Sequence, residues 1–200
     1  MEVLKLFIFL TLVNSLVFLK KTTINKYVIL SLILANINNL VCFVGTNLLA
    51  ITTNIYVLVS FVCWLQIYRI VFKKKQTIVY LFLIPALLIM VASGLKRFNQ
   101  NIFILGSFVY IIMFLIDCIK ILQTEHLQLF KESNFVLILA PILFYLAMTI
   151  LFSFKDRHLN NYQLFYNYKL FDLIAVFANM TYYSLLNYYI YQNKKPIYDN

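Results

Sequence analysis

The sequence predicts an all-α integral membrane protein, a single domain over residues 1–200 built as a bundle of seven transmembrane helices. Three observations support this fold class: seven long apolar segments, a composition too hydrophobic for a soluble domain, and lysine-rich loops between segments. Hydrophobic residues make up 63% of the chain and charged residues 12%, against about 45–50% and about 25% in soluble domains. The predicted helices span 3–19, 27–44, 48–72, 78–94, 102–122, 134–154 and 170–191.

Segment length and periodicity identify these segments as helices that cross a bilayer. A hydrocarbon core about 30 Å thick needs about 20 helical residues at 1.5 Å rise each, and only the first segment is slightly short. No segment alternates apolar and polar residues, as the strands of a membrane barrel would. The first segment ends at Lys20 and Lys21 with no small-residue cleavage site, so we expect a retained helix rather than a signal peptide.

Each boundary between segments carries a turn signal or a charge. The charges after helix 1 are Lys20 and Lys21, Gly45 separates helices 2 and 3, and the run 73–75 of three lysines separates helices 3 and 4. Asparagine and basic residues over 96–101 precede helix 5, and the longest loops, 123–133 and 155–167, flank helix 6. Proline falls inside helices 4 and 6, where we expect a kink, because proline removes a backbone donor.

The distribution of basic residues predicts an external N-terminus and a cytoplasmic C-terminus. Lysine and arginine number 11 on the side where helix 1 ends and 6 on the other, and the richer side normally faces the cytoplasm. A net charge of +10 could otherwise suggest nucleic acid, but these charges lie in loops rather than on one soluble face. We therefore expect no nucleic-acid partner.

Charged residues inside a membrane segment are the first candidates for function. A charged group costs about 2.5–3.5 kcal/mol at the centre of a membrane helix, so such residues usually pair with another group. Arg69 and Asp117 fall at similar depth near the cytoplasmic ends of helices 3 and 5. We predict an ion pair between them, either a structural clamp or part of a gating or proton-linked device.

Polar residues in the outer half of the membrane predict a second site. On helix 7, the spacing of Asp172, Asn179, Tyr183 and Asn187 places all four within about 80° of one helical face. Helices 2 and 3 add further amides, so we predict that helices 2, 3 and 7 surround a polar cavity. Its predicted lining is Asn36, Asn39, Asn54, Asp172, Asn179 and Tyr183. Hydrogen bonding between helices, without a ligand, is the alternative explanation.

Enzyme and cofactor signatures are mostly missing from the sequence. His126 and His158 fall in loops, and the three cysteines are scattered, so no spacing suits zinc or haem. There is also no phosphate-binding glycine loop and no nucleophile elbow. The sequence therefore predicts no metal and no cofactor, and it favours a protein that is not an enzyme.

Two familiar seven-helix classes are excluded by their own signatures. Helix 7 has no mid-membrane lysine to form the Schiff base of a retinal protein. Seven-helix sugar transporters carry a Pro-Gln signature, and neither Pro85 nor Pro141 is followed by glutamine.

Three functional hypotheses remain. The leading one is a multi-pass protein of the bacterial inner (plasma) membrane that senses or scaffolds, contacting the lipid bilayer and acting through a membrane or cytoplasmic partner protein. The second is a small transporter or channel-like subunit with Asp117 and Asp172 on its path. The third is a lipid-modifying enzyme that uses Asp172 and His158 near the outer headgroups.

Overall fold

The structure, a computed structural model, describes residues 2–41, 46–94, 98–125, 127–153, 162–165 and 168–194. The prediction of an all-α fold with seven helices is confirmed over this part of the chain. The helices are α1 (Glu2–Phe18), α2 (Thr23–Val41), α3 (Thr46–Val71), α4 (Thr77–Ser93), α5 (Gln100–Gln123), α6 (Ser133–Ser153) and α7 (Leu170–Gln192). Residues 42–44 and 154, predicted as the ends of helices 2 and 6, lie outside the described residues.

Capping residues explain why two helices begin earlier than predicted. The Thr22 hydroxyl oxygen accepts from the backbone N–H of Asn25 at 3.2 Å, so α2 begins four residues before the predicted start. The Asn99 side chain accepts from the backbone N–H of Asn101 at 3.1 Å, and α5 begins at Gln100. Both caps satisfy backbone donors that a helix start leaves unpaired.

Two short elements were not predicted from the sequence. Residues Leu127–Lys131 form a 3-10 helix between α5 and α6. Ahead of α7, β1 (Gln163–Phe165) pairs antiparallel with β2 (Tyr168–Lys169), with Gln163 opposite Lys169. Such short segments carry no periodicity that a sequence pattern could reveal.

Helix length and hydropathy identify a membrane-embedded protein. Four helices in the described residues are long and apolar enough to cross a membrane: Thr23–Val41, Leu49–Val71, Gln100–Gln123 and Ser133–Ser153. Helix α4 is apolar but has 17 residues, about 25 Å at 1.5 Å each. Pro85 and Pro141 lie inside α4 and α6, which continue past them.

The surface and interior of the bundle have the polarity expected in lipid. Val91 is 84% exposed and Phe177 74% exposed, together with many other large apolar side chains. Several polar side chains are buried in the interior, including Asn54, Ser107 and Asp117. Lipid tails solvate apolar side chains but cannot hydrogen-bond polar ones, so this arrangement is stable in a bilayer rather than in water.

The helices pack as a closed ring in chain order. Each helix contacts the next along the chain, and α7 contacts α1; α3 also contacts α5 and α6, so it lies nearest the centre. An antiparallel bridge between Leu19 and Lys194 joins the ends of α1 and α7. An ion pair between Lys74 and Asp117 joins the ends of α3 and α5. Odd-numbered helices therefore finish at one end of the bundle, here named the lysine end.

Aromatic side chains fill the centre of the bundle. The Phe61 ring on α3 stacks on Tyr145 of α6 with centroids 4.4 Å apart, and it contacts Phe82 of α4 at 5.4 Å. Phe61 also packs on Gly106 of α5, where a Cβ atom would lie 2.7 Å from the ring. Glycine is required at that position because it allows α3 and α5 to approach closely.

Candidate functional site

A buried carboxylate at the lysine end joins α5 to α3 and to the connection that follows it. Asp117 on α5 is 5% exposed. One carboxylate oxygen lies 2.6 Å from the Lys74 ammonium, and the other accepts from the Tyr68 hydroxyl at 2.5 Å. The Tyr68 hydroxyl also lies 2.9 Å from the Met113 carbonyl oxygen. Tyr68, Lys74 and Asp117 are here named the Asp117 cluster.

The chain reversal after α3 carries Lys74 back to Asp117. The backbone N–H of Lys73 lies 3.4 Å from the Ile70 carbonyl oxygen, and that of Lys74 donates to Arg69 at 2.9 Å. Lys73 has a φ of 52°, in the left-handed region that lysine seldom adopts. This bend directs the Lys74 side chain toward α5, and its charge compensates that of the buried carboxylate.

Arg69, the cation predicted to pair with Asp117, has a different contact. Its Nε donates to the Gln66 side chain of the same helix at 2.9 Å. Tyr68, one residue earlier, occupies the face of α3 that meets Asp117, and adjacent helical residues point about 100° apart. Lys74 therefore replaces Arg69 as the partner. The available signal was the 73–75 lysine run, which depth alone would have placed near Asp117.

At the opposite end of the bundle, a cleft of about 510 Å³ opens between α1 and α2. Asn36 and Asn39, two of the predicted cavity residues, line this α1/α2 cleft. Lys5 pairs with Glu2 at 3.1 Å on the α1 side. The rest of the lining is apolar: Leu6, Phe9, Leu12, Ile33, Ile37 and Leu40.

The other predicted cavity residues lie apart from the α1/α2 cleft. The Asn54 side-chain oxygen accepts from the backbone N–H of Asn99 at 2.9 Å. Asn179 donates to the Ala175 carbonyl of its own helix at 2.7 Å. Tyr183 is buried with its ring edge-to-face on Phe7. Asp172 lies half-buried in the first turn of α7, where the helix dipole favours a carboxylate.

This separation follows from the order of the helices in the ring. Helix α1 contacts both α2 and α7 and so lies between them. Asn36 and Asn39 of α2 therefore line a cleft against α1, while Asn187 of α7 meets α1 from the other side. The structure brings Asn36 and Asn39 together but does not assemble all six predicted residues into one cavity.

An amide cluster between α1 and α7 was not identified as a site from the sequence. Asn14 donates to the Asn187 side-chain oxygen at 3.2 Å, and Asn187 donates to the Thr11 hydroxyl at 2.8 Å and to the Tyr183 carbonyl at 2.9 Å. Thr11 is fully buried. The available signal was the helix 1 pattern of Thr11 and Asn14, polar residues at i and i+3 in an otherwise apolar segment.

Metal-binding residues do not cluster where the structure can be described. Over residues 2–41, 46–94, 98–125, 127–153, 162–165 and 168–194, no three His, Cys, Asp or Glu side chains come together. Cys63 is buried and Cys118 half-buried. His126 and His158 lie outside the described residues, so the predicted pairing of His158 with Asp172 has no geometry to report.

No protein-family model matches the chain, and neither the curated proteins nor the solved structures gave a significant match.

Proposed function

We propose that this is a seven-span sensory or scaffolding protein of a bacterial inner membrane that acts through a partner protein. In this proposal, the N-terminus is external and the lysine end faces the cytoplasm. The observation that carries the proposal is the α1/α2 cleft, which combines an apolar lining with amides and an ion pair. A lipid has the same combination, with apolar chains beneath a polar headgroup, so we assign a membrane lipid as the sensed ligand.

Hydrogen bonds beside the α1/α2 cleft join α1 to α7. Leu12 lines the cleft, while the neighbouring Thr11 and Asn14 bond to Asn187 of α7. Near its end, α7 contacts α2, because the Tyr189 hydroxyl donates to Asn25 at 2.8 Å. A ligand that favours one position of α1 would therefore also favour one arrangement of α7.

The lysine end supplies the surface for a protein partner. Among the described residues, Lys20, Lys21, Lys73 and Lys75 lie in the connections at this end. A concentration of positive charge steers association toward an acidic surface. We therefore expect the cytoplasmic partner to present acidic residues.

Packing at the centre favours this function over a small transporter. The Phe61, Tyr110 and Tyr145 rings occupy the space between α3, α5 and α6, with Tyr110 and Tyr145 centroids 5.5 Å apart. Clefts lie instead between helix pairs, as in the cleft of about 450 Å³ between α5 and α6. Openings between helices admit lipid more readily than a hydrated ion.

Filling the α1/α2 cleft tests the proposed ligand. Ile37 lines the cleft and is 48% exposed, so Ile37→Trp adds volume there without disturbing a buried residue. The matched control is Ile84→Trp on α4, because Ile84 is also an exposed apolar residue. We expect Ile37→Trp, but not Ile84→Trp, to reduce the phospholipid retained after gentle detergent extraction, measured by native mass spectrometry, and the co-purified partner.

The two readouts separate lipid binding from partner binding. Equal lipid retention in Ile37→Trp and Ile84→Trp would reject the cleft as the lipid site. Recovery of the wild-type protein alone, from native membranes and with no stoichiometric companion, would reject action through a stable partner.

A further inference from the structure

A second cleft opens between α1 and α7 at the lysine end. Its volume is about 430 Å³, and its lining is Asn14, Phe18, Asn187, Ile190, Tyr191 and Lys194. The Leu19–Lys194 bridge lies beside it, so Lys20 and Lys21 follow directly at the same end. This α1/α7 cleft is separate from the α1/α2 cleft, which lies at the opposite end of α1.

Polar and apolar groups are arranged in layers in the α1/α7 cleft. The Lys194 ammonium lies 4.5 Å from the centroid of the Tyr191 ring, a cation–π contact. Asn187 lies seven residues earlier on the chain, about 10 Å along a helix. Phe18 and Ile190 supply apolar walls. A phospholipid presents its phosphate, glycerol esters and acyl chains in the same order.

Electrostatics selects an anionic headgroup. Among the described residues, the two ion pairs are Lys5 with Glu2 and Lys74 with Asp117. No described carboxylate therefore neutralises Lys20, Lys21 or Lys194. Basic clefts between membrane helices are recognised sites for anionic lipid headgroups, and each lysine near the surface contributes about 1 kcal/mol to that attraction.

We propose that the α1/α7 cleft binds one anionic glycerophospholipid of the adjacent leaflet. The phosphate contacts Lys194 and Lys20, an ester oxygen accepts from the Asn14 amide, and an acyl chain lies against Phe18 and Ile190. The apolar wall makes a lipid a better occupant than free phosphate, which would leave that wall uncovered. The lipid joins the two helices that close the ring.

Fluorescence quenching by brominated lipids can measure occupancy at this cleft. Tyr191 is 67% exposed, and Tyr191→Trp places a reporter at the cleft while keeping an aromatic ring beneath Lys194. The single native tryptophan, Trp64, is buried and contributes a constant background. The variant is reconstituted in vesicles of phosphatidylcholine containing brominated phosphatidylglycerol or brominated phosphatidylcholine. Leu122→Trp, on exposed Leu122 near the end of α5, reports on general surface attraction.

We expect brominated phosphatidylglycerol to quench Tyr191→Trp at least fivefold more effectively than brominated phosphatidylcholine. Adding Lys194→Gln should lower that preference about fivefold, the factor that corresponds to one surface lysine. Lys131→Gln removes the same charge from the 3-10 helix and should leave the preference unchanged. The proposal is overturned if Leu122→Trp shows the same preference as Tyr191→Trp, or if Lys194→Gln and Lys131→Gln have equal effects.

Discussion

Single side chains at the lysine end illustrate how burial determines the cost of an unpaired charge. Asp117 and Lys74 are held together, but their side chains are 7% and 29% exposed. Lysine can extend its ammonium along a flexible stem to the interface, whereas the buried carboxylate cannot. Loss of the lysine should therefore destabilise the protein more than loss of the carboxylate.

Substitutions at Lys74 and Asp117 test the Asp117 cluster. We expect Lys74→Met to lower the free energy of unfolding by about 3 kcal/mol, because it leaves a buried charge without a partner. Asp117→Asn should lower it by about 1–2 kcal/mol, because the amide keeps a hydrogen bond to Tyr68. Unfolding in mixed detergent micelles, followed by circular dichroism, measures both changes.

Arg69→Met is the matched control for this comparison, since it removes a neighbouring cation whose contact is Gln66. It should change stability less than Lys74→Met. A larger effect of Arg69→Met would mean that Arg69, and not Lys74, compensates the charge of Asp117 in the membrane.

At the scale of elements, the absence of a side chain at Gly106 determines how closely α3 and α5 approach. The Phe61 ring packs directly on Gly106, and it also contacts Phe82, Phe103 and Tyr145. These three neighbours come from three other helices, so the Phe61 ring has little room to move away from Gly106.

Gly106→Ala should therefore destabilise the protein by about 1–3 kcal/mol through overpacking. Phe61→Leu in the same chain should recover part of that loss, because the smaller side chain makes room for the new methyl group. A double-mutant cycle measured by thermal unfolding in detergent gives the coupling between the positions. Strictly additive effects would show that α3 and α5 do not meet at this contact.

At the scale of elements, apolar runs located the helices but not their exact starts or their neighbours. The polar caps Thr22 and Asn99 resemble loop residues in a hydropathy pattern, so the sequence placed both helix starts too late. Neighbouring helices were harder still, because a hydropathy pattern identifies buried faces without identifying the helix that covers them. For that reason the sequence pattern places Asn36 and Asn179 in one cavity, although α1 lies between their helices.

The partner of Asp117 was also difficult to identify from the sequence. Depth in the membrane predicts Arg69 as the partner, whereas Lys74 contacts Asp117 in the structure, and this contact depends on the bend at Lys73. A positive φ at lysine has no signature in the sequence. The partner of a side chain such as Lys74, which follows a chain reversal, can therefore be identified only from the structure.

At the scale of the whole molecule, the odd number of helices in the described residues predicts where the two chain termini lie. Alternating direction around the ring places the starts and ends of α1 and α7 at matching levels, as the Leu19–Lys194 bridge shows. If all seven helices cross the bilayer, the two termini lie on opposite sides. In the proposed topology, the C-terminal side, where lysine is concentrated, faces the cytoplasm.

Reporter fusions test this topology. A green fluorescent protein fused after residue 200 should fluoresce in the cytoplasm, and an epitope placed before residue 1 should be accessible to antibody on intact spheroplasts. Fluorescence at the C-terminus without external access to the N-terminal epitope would indicate an even number of crossings. The control is the same epitope at the C-terminus, which should react only after the membrane is permeabilised.

The contact between α1 and α7 also implies a delay during synthesis, because its two sides are made at different times. Asn14 and Asn187 are 173 residues apart in the chain, and ribosomes add about 5–20 residues per second. Asn14 is therefore synthesised roughly 9–35 s before its partner on α7. During that interval lipid cannot supply the hydrogen-bond partner that Asn187 later provides, so we expect the insertion machinery to shelter α1.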